Sequence, residues 1–501
     1  MNNANTRSQL DPAAQRQATL KTLEQDPFDV LVIGGGIVGT GVARDAAMRG
    51  LRVALVEQHD FSFGTSSRSS RLLHGGLRYL AQGRIGLVHE ASVEKKVVHH
   101  IAPHLADPLP FIFPTYRGNK DWVLWQLKIG VKIYDLLCGG RNLGKSTWHR
   151  PQDILRRVPG LVAVNLTGGV RYYDGFTNDS RLALDTLRSA AAQGATVINY
   201  CRYRDAKRNG HWECQVEDVL TGRTFPVRAC AVVNATGPWA DGLPHSTVKL
   251  RATKGIHLVV EHGRAPVTET VVMTEGKRIL FMIPWGERTI IGTTDTDYQG
   301  SLDDVRADTE DVAYVLRVAN LFFPNSQLTT RDVISAWAGL RPLVADPSGK
   351  PSDVSRAHEI HNPEPGWWDV AGGKLTTYRL MAEQTVDQIV RKLKKLKGTA
   401  VAVAPCRTAR EPLLPPSETA GVSALTPPPF ERGPVEHYVR REWAVHLDDV
   451  MVRRTSWHWY HRDAASKAAQ VAEWMGELLG WPPETRQAEL ERYTRMWGAS
   501  Y

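Results

Sequence analysis

A chain of 501 residues is too long for one hydrophobic core, so two or three domains are expected. Apolar residues make up 42% and charged residues 23%, ordinary for a water-soluble globular protein, and no run of about 20 apolar residues is present to span a bilayer. The net charge of +9 favours anionic partners, but with no long basic run and no nucleic-acid motif, nucleic acid ranks last among them.

Residues 1–27 are polar, lack the apolar core of a secretory leader, and read as a loose or frayed-helical tail. "FDVLVIGGGIVGTGVARDAAMRGLRVALVEQ", Phe28 to Gln58, is a strand–helix–strand unit. Its Gly34-x-Gly36-x-x-Gly39 permits the tight turn, close backbone approach to a pyrophosphate, and close helix–strand packing. Free N–H groups and the helix dipole then stabilise the anion. Glu57 ends the second strand 18 residues after Gly39, where a carboxylate accepts hydrogen bonds from ribose hydroxyls. This arrangement predicts dinucleotide binding without separating FAD from NAD.

"GTSSRSS" offers Thr65, Ser66 and Ser67 as donors, and "HGGLRYL" places His74, Gly75 and Gly76 in an apolar neighbourhood. "WVLWQLKIGVKIYDLLC", Trp122 to Cys138, is apolar and aromatic, with Lys128 and Lys132 on one helical face. It reads first as an amphipathic helix of the substrate domain and second as a segment lying on an acidic membrane surface. A helix is predicted from the capping signal at Asn178–Ser180 to Gly194, then a hairpin around Thr221-Gly222 and a buried strand Cys230–Val233. "VVNATGPWAD" ends a strand at Thr236 and Gly237, and "GGKLTTY" sets Gly373, Lys374, Leu375 and Thr376 at a helix start. The positive end of that helix suits charge developing on a reduced flavin. Eight of the 29 prolines lie between Pro405 and Pro434, predicting a linker, and residues 435–501 read as a small helical module. Five scattered cysteines form no C-x-x-C pair, so neither a disulfide framework nor a metal site is expected, and a reducing cytoplasm is the expected home.

The stretches "VIGGGIVGTGVARDAAMRGL", "TSSRSSRLLHGGLRYL", "VVNATGPWAD", "KGIHLVV", "KRILFMIPW", "IIGTTDTDY", "GLRPL" and "GGKLTTYR" run in order from residue 28 to about 380. Together they resemble the FAD-dependent glycerol-3-phosphate dehydrogenase family, within the D-amino-acid-oxidase-like flavoenzymes. The resemblance implies an α/β fold. In it a Rossmann-like FAD-binding domain, 28–404, is interleaved with a mixed α+β substrate domain at about 110–165 and 246–335. It implies FAD as cofactor and oxidation of sn-glycerol 3-phosphate at C2, with hydride passing to flavin N5. His74-Gly75-Gly76 would pass beside the flavin ring.

For the substrate phosphate, permanent cations are needed, and the matched motifs supply Arg78, Arg278 and Arg341, each in apolar surroundings. Tyr79 would share the substrate space with Arg78. His257 is the first candidate for the base, Lys374 the second, as base or orienting charge, and His74 the third. The resemblance implies a membrane quinone as usual acceptor and oxygen in oxidase members. The sequence leaves that choice open, together with a homodimer and peripheral attachment to the cytoplasmic membrane. Two competing readings are an oxidase of an amine or amino acid, which would need one Arg rather than three, and a non-catalytic redox-sensing flavoprotein. The C-terminal part resembles the family only in patches such as "REWAVHLDDVMVRRTS".

Overall fold

Strand Pro27–Ile33 is buried along its length beyond the first residue, as an apolar run between two layers must be. It lies at the centre of a parallel array, with Thr224–Asn234 and then Trp367–Gly372 on one side, and Val53–Val56 and then Thr196–Ile198 on the other. Antiparallel His358–His361 closes one edge, and the hairpin Cys201–Asn209/His211–Asp218 extends from Thr224–Asn234. Helices Ile37–Met48, Asp179–Ala192 and Tyr378–Lys397 cover one face, burying Val42, Ala46, Leu187, Met381 and Ile389 against Val30 and Val32. Asn178 caps its helix as expected, accepting from the Arg181 N–H. The computed structural model describes residues 11–81, 83–139, 142–344, 358–398 and 402–498, without the side chains of Arg78 and Ala81.

A second sheet has ten strands, mostly antiparallel. Its strands come from 72–73, 107–176 and 250–344, a wider span than the 110–165 and 246–335 expected of the interleaved domain. The long strands Leu250–Glu261 and Val333–Val344 pair antiparallel, setting Gly255 opposite Gly339 and His257 opposite Trp337. Residues alternate between faces. Ile256, Leu258 and Val260 pack under helix Thr309–Phe322, whereas Val259, Ile283 and Trp285 face the C-terminal module.

Two expectations are corrected. Pro12–Gln25 is a docked helix rather than a loose or frayed one: Asp11 caps it, Leu20 and Leu23 are buried, and Arg16 bonds the Asn199 carbonyl and Asp218. The proline-rich stretch is not a free linker but a strap on the core. Leu413 and Leu414 are buried, the Leu413 N–H bonds the Ile101 carbonyl, and Arg44 donates to the carbonyls of Thr408 and Glu411. Proline density reports a chain without long helices, only Pro416–Thr419 and the start of Arg432–Arg441 being helical; it does not report whether that chain is docked.

The C-terminal module is helical as expected, but Arg432–Arg441 breaks at Trp443 into a π-helical turn, Asp449–Arg454. Arg453 donates to Asp60 (2.5 Å), Asp448 (2.7 Å) and Asp449 (2.6 Å), and Arg454 pairs with Asp60, all buried. Burial opposes the charge on Asp60, yet Arg454 and Arg453 hold its carboxyl below the usual range.

Candidate active site

Two cavities meet between the sheets. One, of about 450 Å³, runs from Glu57 and His59, past Gly34, Gly36 and Ser66, to Gly339, Arg341, His257 and Lys374. The other, of about 610 Å³, is walled by Phe111, Phe113, Tyr172, Phe281 and the segment Thr293–Asp295. Ser70, Leu72, His74 and Arg341 line both.

The first cavity fits a dinucleotide. Gly34 has φ +107°, and a Cβ there would stand 2.6 Å from the Ala235 carbonyl oxygen. One on Gly39 would stand 1.9 Å from the Gly34 carbonyl oxygen, so helix and strand close only on glycine. At Gly36 a Cβ would meet only the Ser66 hydroxyl within 4 Å, leaving the backbone open to a pyrophosphate. Glu57 accepts from the Gly35 N–H at 2.7 Å and the His59 N–H at 2.8 Å. Burial pushes its carboxyl up, and those two backbone donors oppose the rise. Thr65 lines the cavity while bonding the Leu340 carbonyl (2.7 Å), and Thr236, Gly237, Gly373, Leu375 and Thr376 line the opposite side. Ser67 does not line it: buried, it bonds back to the Gly64 carbonyl, and Ser69 and Ser70 take the place expected of it.

The histidine–glycine segment is held from below. The Thr376 hydroxyl accepts from the His74 N–H and donates to the His74 carbonyl, and the Gly75 N–H donates to the Tyr134 hydroxyl (2.8 Å). Tyr134 in turn donates to Asp174, which also takes Lys95 (2.8 Å). His74 and Gly76 face the cavities, but Gly75 does not; a Cβ there would strike Tyr134 and Ser92. Gly75 is therefore required by its own support.

Of the expected cations, Arg341 stands at the junction. Its guanidinium donates to Thr293 Oγ1, the Thr294 carbonyl and Asp295 Oδ1, at 3.1–3.2 Å. Gly255 makes that position possible, since a Cβ there would lie 2.4 Å from Arg341 Nη2. The surroundings are thus polar rather than apolar. Arg278 is exposed on the wall of the second cavity, over the Tyr314 ring, and not in the apolar setting expected. Arg78 lies on helix Leu77–Ala81, its side chain outside the described residues. Tyr79 is buried and lines neither cavity, and its ring lies 4.1 Å from Lys374 Nζ.

His257 is 2% exposed, stacks on Trp337, and shares a 2.7 Å hydrogen bond between Nε2 and Ser70 Oγ. Burial first, then Arg341 and Arg71, push it down to about 3. Ser70, Thr293, Asp295 and Gly255 were not expected in the site, although all four sit inside motifs already singled out.

Among described residues no helix is long and apolar enough to cross a membrane. Helix Leu124–Leu137 is two-faced. Leu127, Val131 and Tyr134 are buried, while Trp125, Ile129, Ile133 and Leu136 are exposed, Trp125 by 61% and Leu136 by 72%. Lys128 lies over the exposed Trp148 ring beside that stripe.

Residues 29–388 match the family model of FAD dependent oxidoreductases, and 401–486 match that of the C-terminal domain of alpha-glycerophosphate oxidase. The aerobic glycerol-3-phosphate dehydrogenase of Staphylococcus saprophyticus is 37% identical over 397 residues, 77% of this chain and 71% of that one. Its Staphylococcus aureus counterpart is also 37% identical, over 79% and 72%. The crystal structure of glycerol-3-phosphate dehydrogenase from Bacillus halodurans, complexed with FAD, superposes with TM-score 0.75 at 27% identity, covering 96% of this chain and 97% of that one.

Proposed function

Because the chain belongs to the family of FAD-dependent glycerol-3-phosphate dehydrogenases, we propose that it oxidises sn-glycerol 3-phosphate to dihydroxyacetone phosphate with bound FAD. The observation that carries this reading is the junction of a dinucleotide-shaped channel with a separate chamber, with Arg341, Ser70 and His74 common to both. Gly34, Gly36, Gly39, Glu57, Thr65, Ser66, Thr236, Gly237, Gly373, Leu375 and Thr376 would hold FAD. When bound, FAD supplies the hydride acceptor at N5.

Arg341 would hold the phosphate dianion as a permanent, planar cation already fixed by three oxygens, so little ordering is left to binding. Lys374, steadied by the Tyr79 ring, would orient the C2 oxygen. The hydroxyl proton would leave through Ser70 Oγ to His257 Nε2, the one hydrogen-bonded path joining the chamber to that imidazole among the described residues. A base works best with a pKa near the operating pH, and His257 starts far below it. A seated dianion would neutralise Arg341, one of the charges depressing it, and so raise its basicity only in the complex.

Electrons would leave to a quinone. The exposed apolar stripe of Leu124–Leu137, with Lys128 beside it and an overall charge of +9, suits the surface of an acidic bilayer. Turnover with a dye acceptor tests the substrate. Glycerol 3-phosphate should yield dihydroxyacetone phosphate, whereas glycerol and glycine should give negligible turnover. Faster turnover of an amino acid would replace this reading with the oxidase one.

A further inference from the structure

A third cavity, of about 250 Å³, lies where the C-terminal module meets the flavin-side domain. Its walls are Phe63, Trp337, Trp459 and Trp497, with Arg68, Arg306 and Arg495, and Asp303 and Asp304. Most of these charges are engaged. Arg306 donates to Asp304, and Asp303 accepts from the Trp239 indole and lies 3.5 Å from His59. Arg68 and Arg495 have no ion-pair partner among the described residues, and of the two only Arg68 is buried. Arg68, which with Phe63 also lines the first cavity, is 9% exposed, and its guanidinium lies between the Phe63 and Trp497 rings at 5.2 and 5.3 Å. No carboxylate of a described residue lies within 4 Å of it, and its Nε has no hydrogen-bond acceptor. Trp459 and Trp497 each bury an indole N–H that likewise lacks an acceptor.

Leaving a guanidinium buried and unpaired is costly, and a chain retains such a group where an anion completes it. Burial, with Arg453 nearby, pushes Arg68 down to about 10, so it stays cationic at neutral pH. The aromatic walls of the cavity, Trp337 and Trp459 among them, suit a planar body, and the Arg68 cation selects an anion over a neutral molecule.

We propose that this cavity is a second ligand site, taking a small planar carboxylate whose anion pairs with Arg68 and whose ring stacks among Phe63, Trp459 and Trp497. Trp337 links it to the catalytic chamber, since this ring forms one wall of the cavity and stacks on His257 at 5.3 Å. An occupant pressing on Trp337 would shift the imidazole that the reading above makes the proton acceptor. The site itself does not depend on that reading.

Benzoate is the probe, added to holoenzyme whose substrate chamber is filled with saturating dihydroxyacetone phosphate. Equilibrium dialysis should find one benzoate per chain, and indole fluorescence should change on binding. Arg68→Met should weaken binding at least tenfold while the enzyme keeps its FAD, and Trp497→Leu should weaken it too. Three outcomes would overturn the site: benzoate displaced by dihydroxyacetone phosphate, Arg68→Met binding as the parent does, or Arg68→Met failing to retain FAD, which would assign the guanidinium to the cofactor. Tight binding of a neutral water-soluble quinone there, with none of benzoate, would also overturn it.

Discussion

His257 was legible as a site residue from its motif, but its proton affinity was not, because that depends on burial and on Arg341 and Arg71, which the fold supplies. The imidazole is held at about 3 when folded and returns to about 6.5 when unfolded, so the unfolded chain binds the proton first as pH falls. Its contribution to stability is therefore intact above pH 6.5 and lost as pH falls towards 3. In NMR the His257 ring resonances should stay fixed from pH 8 to 5; titration near 6.5 would mean the ring is not buried as described. Glu57 is the simpler case, since a strand-end acid after a glycine turn is read directly from sequence. Glu57→Ala should raise the FAD dissociation constant about tenfold to hundredfold, from hydrogen bonds to a charged group worth about 1.5–3 kcal/mol. Unchanged affinity, measured by flavin fluorescence, would remove Glu57 from the cofactor site. Arg278 shows the opposite limit: a matched motif marked it, but the strand register leaves it exposed on the wall of the second cavity.

Among the elements, the paired strands Leu250–Glu261 and Val333–Val344 deliver most of the chemistry, and they do so through glycine. Gly255 clears space for Arg341, and Gly292 clears space for the His257 ring, 2.4 Å from where a Cβ would sit. Sequence showed these glycines only as motif members, because the side chain each one makes room for lies on another strand. Gly255→Ala should displace the Arg341 guanidinium and lower kcat/KM for glycerol 3-phosphate about tenfold, or about 1.4 kcal/mol, while FAD stays bound. Parent-like kinetics would show that Arg341 does not need its present position. Helix Leu124–Leu137 has a core face, as its first sequence reading expects, and an exposed apolar face that the proposed membrane contact would use. Ile129→Glu with Leu136→Glu should abolish co-sedimentation with anionic vesicles and leave turnover with a soluble dye intact. Sedimentation unchanged by the pair would place membrane contact elsewhere.

At the scale of the whole molecule, the nucleotide-binding unit was the most legible part, because its signals are local: an apolar run, a glycine turn and an acid at fixed spacing. The docked N-terminal helix and the proline strap were not, since two leucines in a polar stretch and a row of prolines say nothing about the distant surfaces that receive them. The join between cofactor domain and C-terminal module was hidden for the same reason. It rests on Asp60, three residues after Glu57, buried against Arg453 and Arg454 from the other end of the chain. Arg453→Met would take one buried cation from Asp60, Asp448 and Asp449 and should cost about 3–5 kcal/mol, lowering the melting temperature and loosening FAD together. A lower melting temperature with full FAD affinity would mean the module docks independently of the cofactor site.

The most direct test of the central assignment is anaerobic mixing of the FAD-loaded enzyme with sn-glycerol 3-phosphate while the flavin's visible absorbance is followed. Rapid and complete bleaching, with one dihydroxyacetone phosphate formed per flavin and no bleaching by glycerol, is the expected result. Flavin that stays oxidised with this substrate, or that bleaches equally with unphosphorylated glycerol, would contradict the assignment.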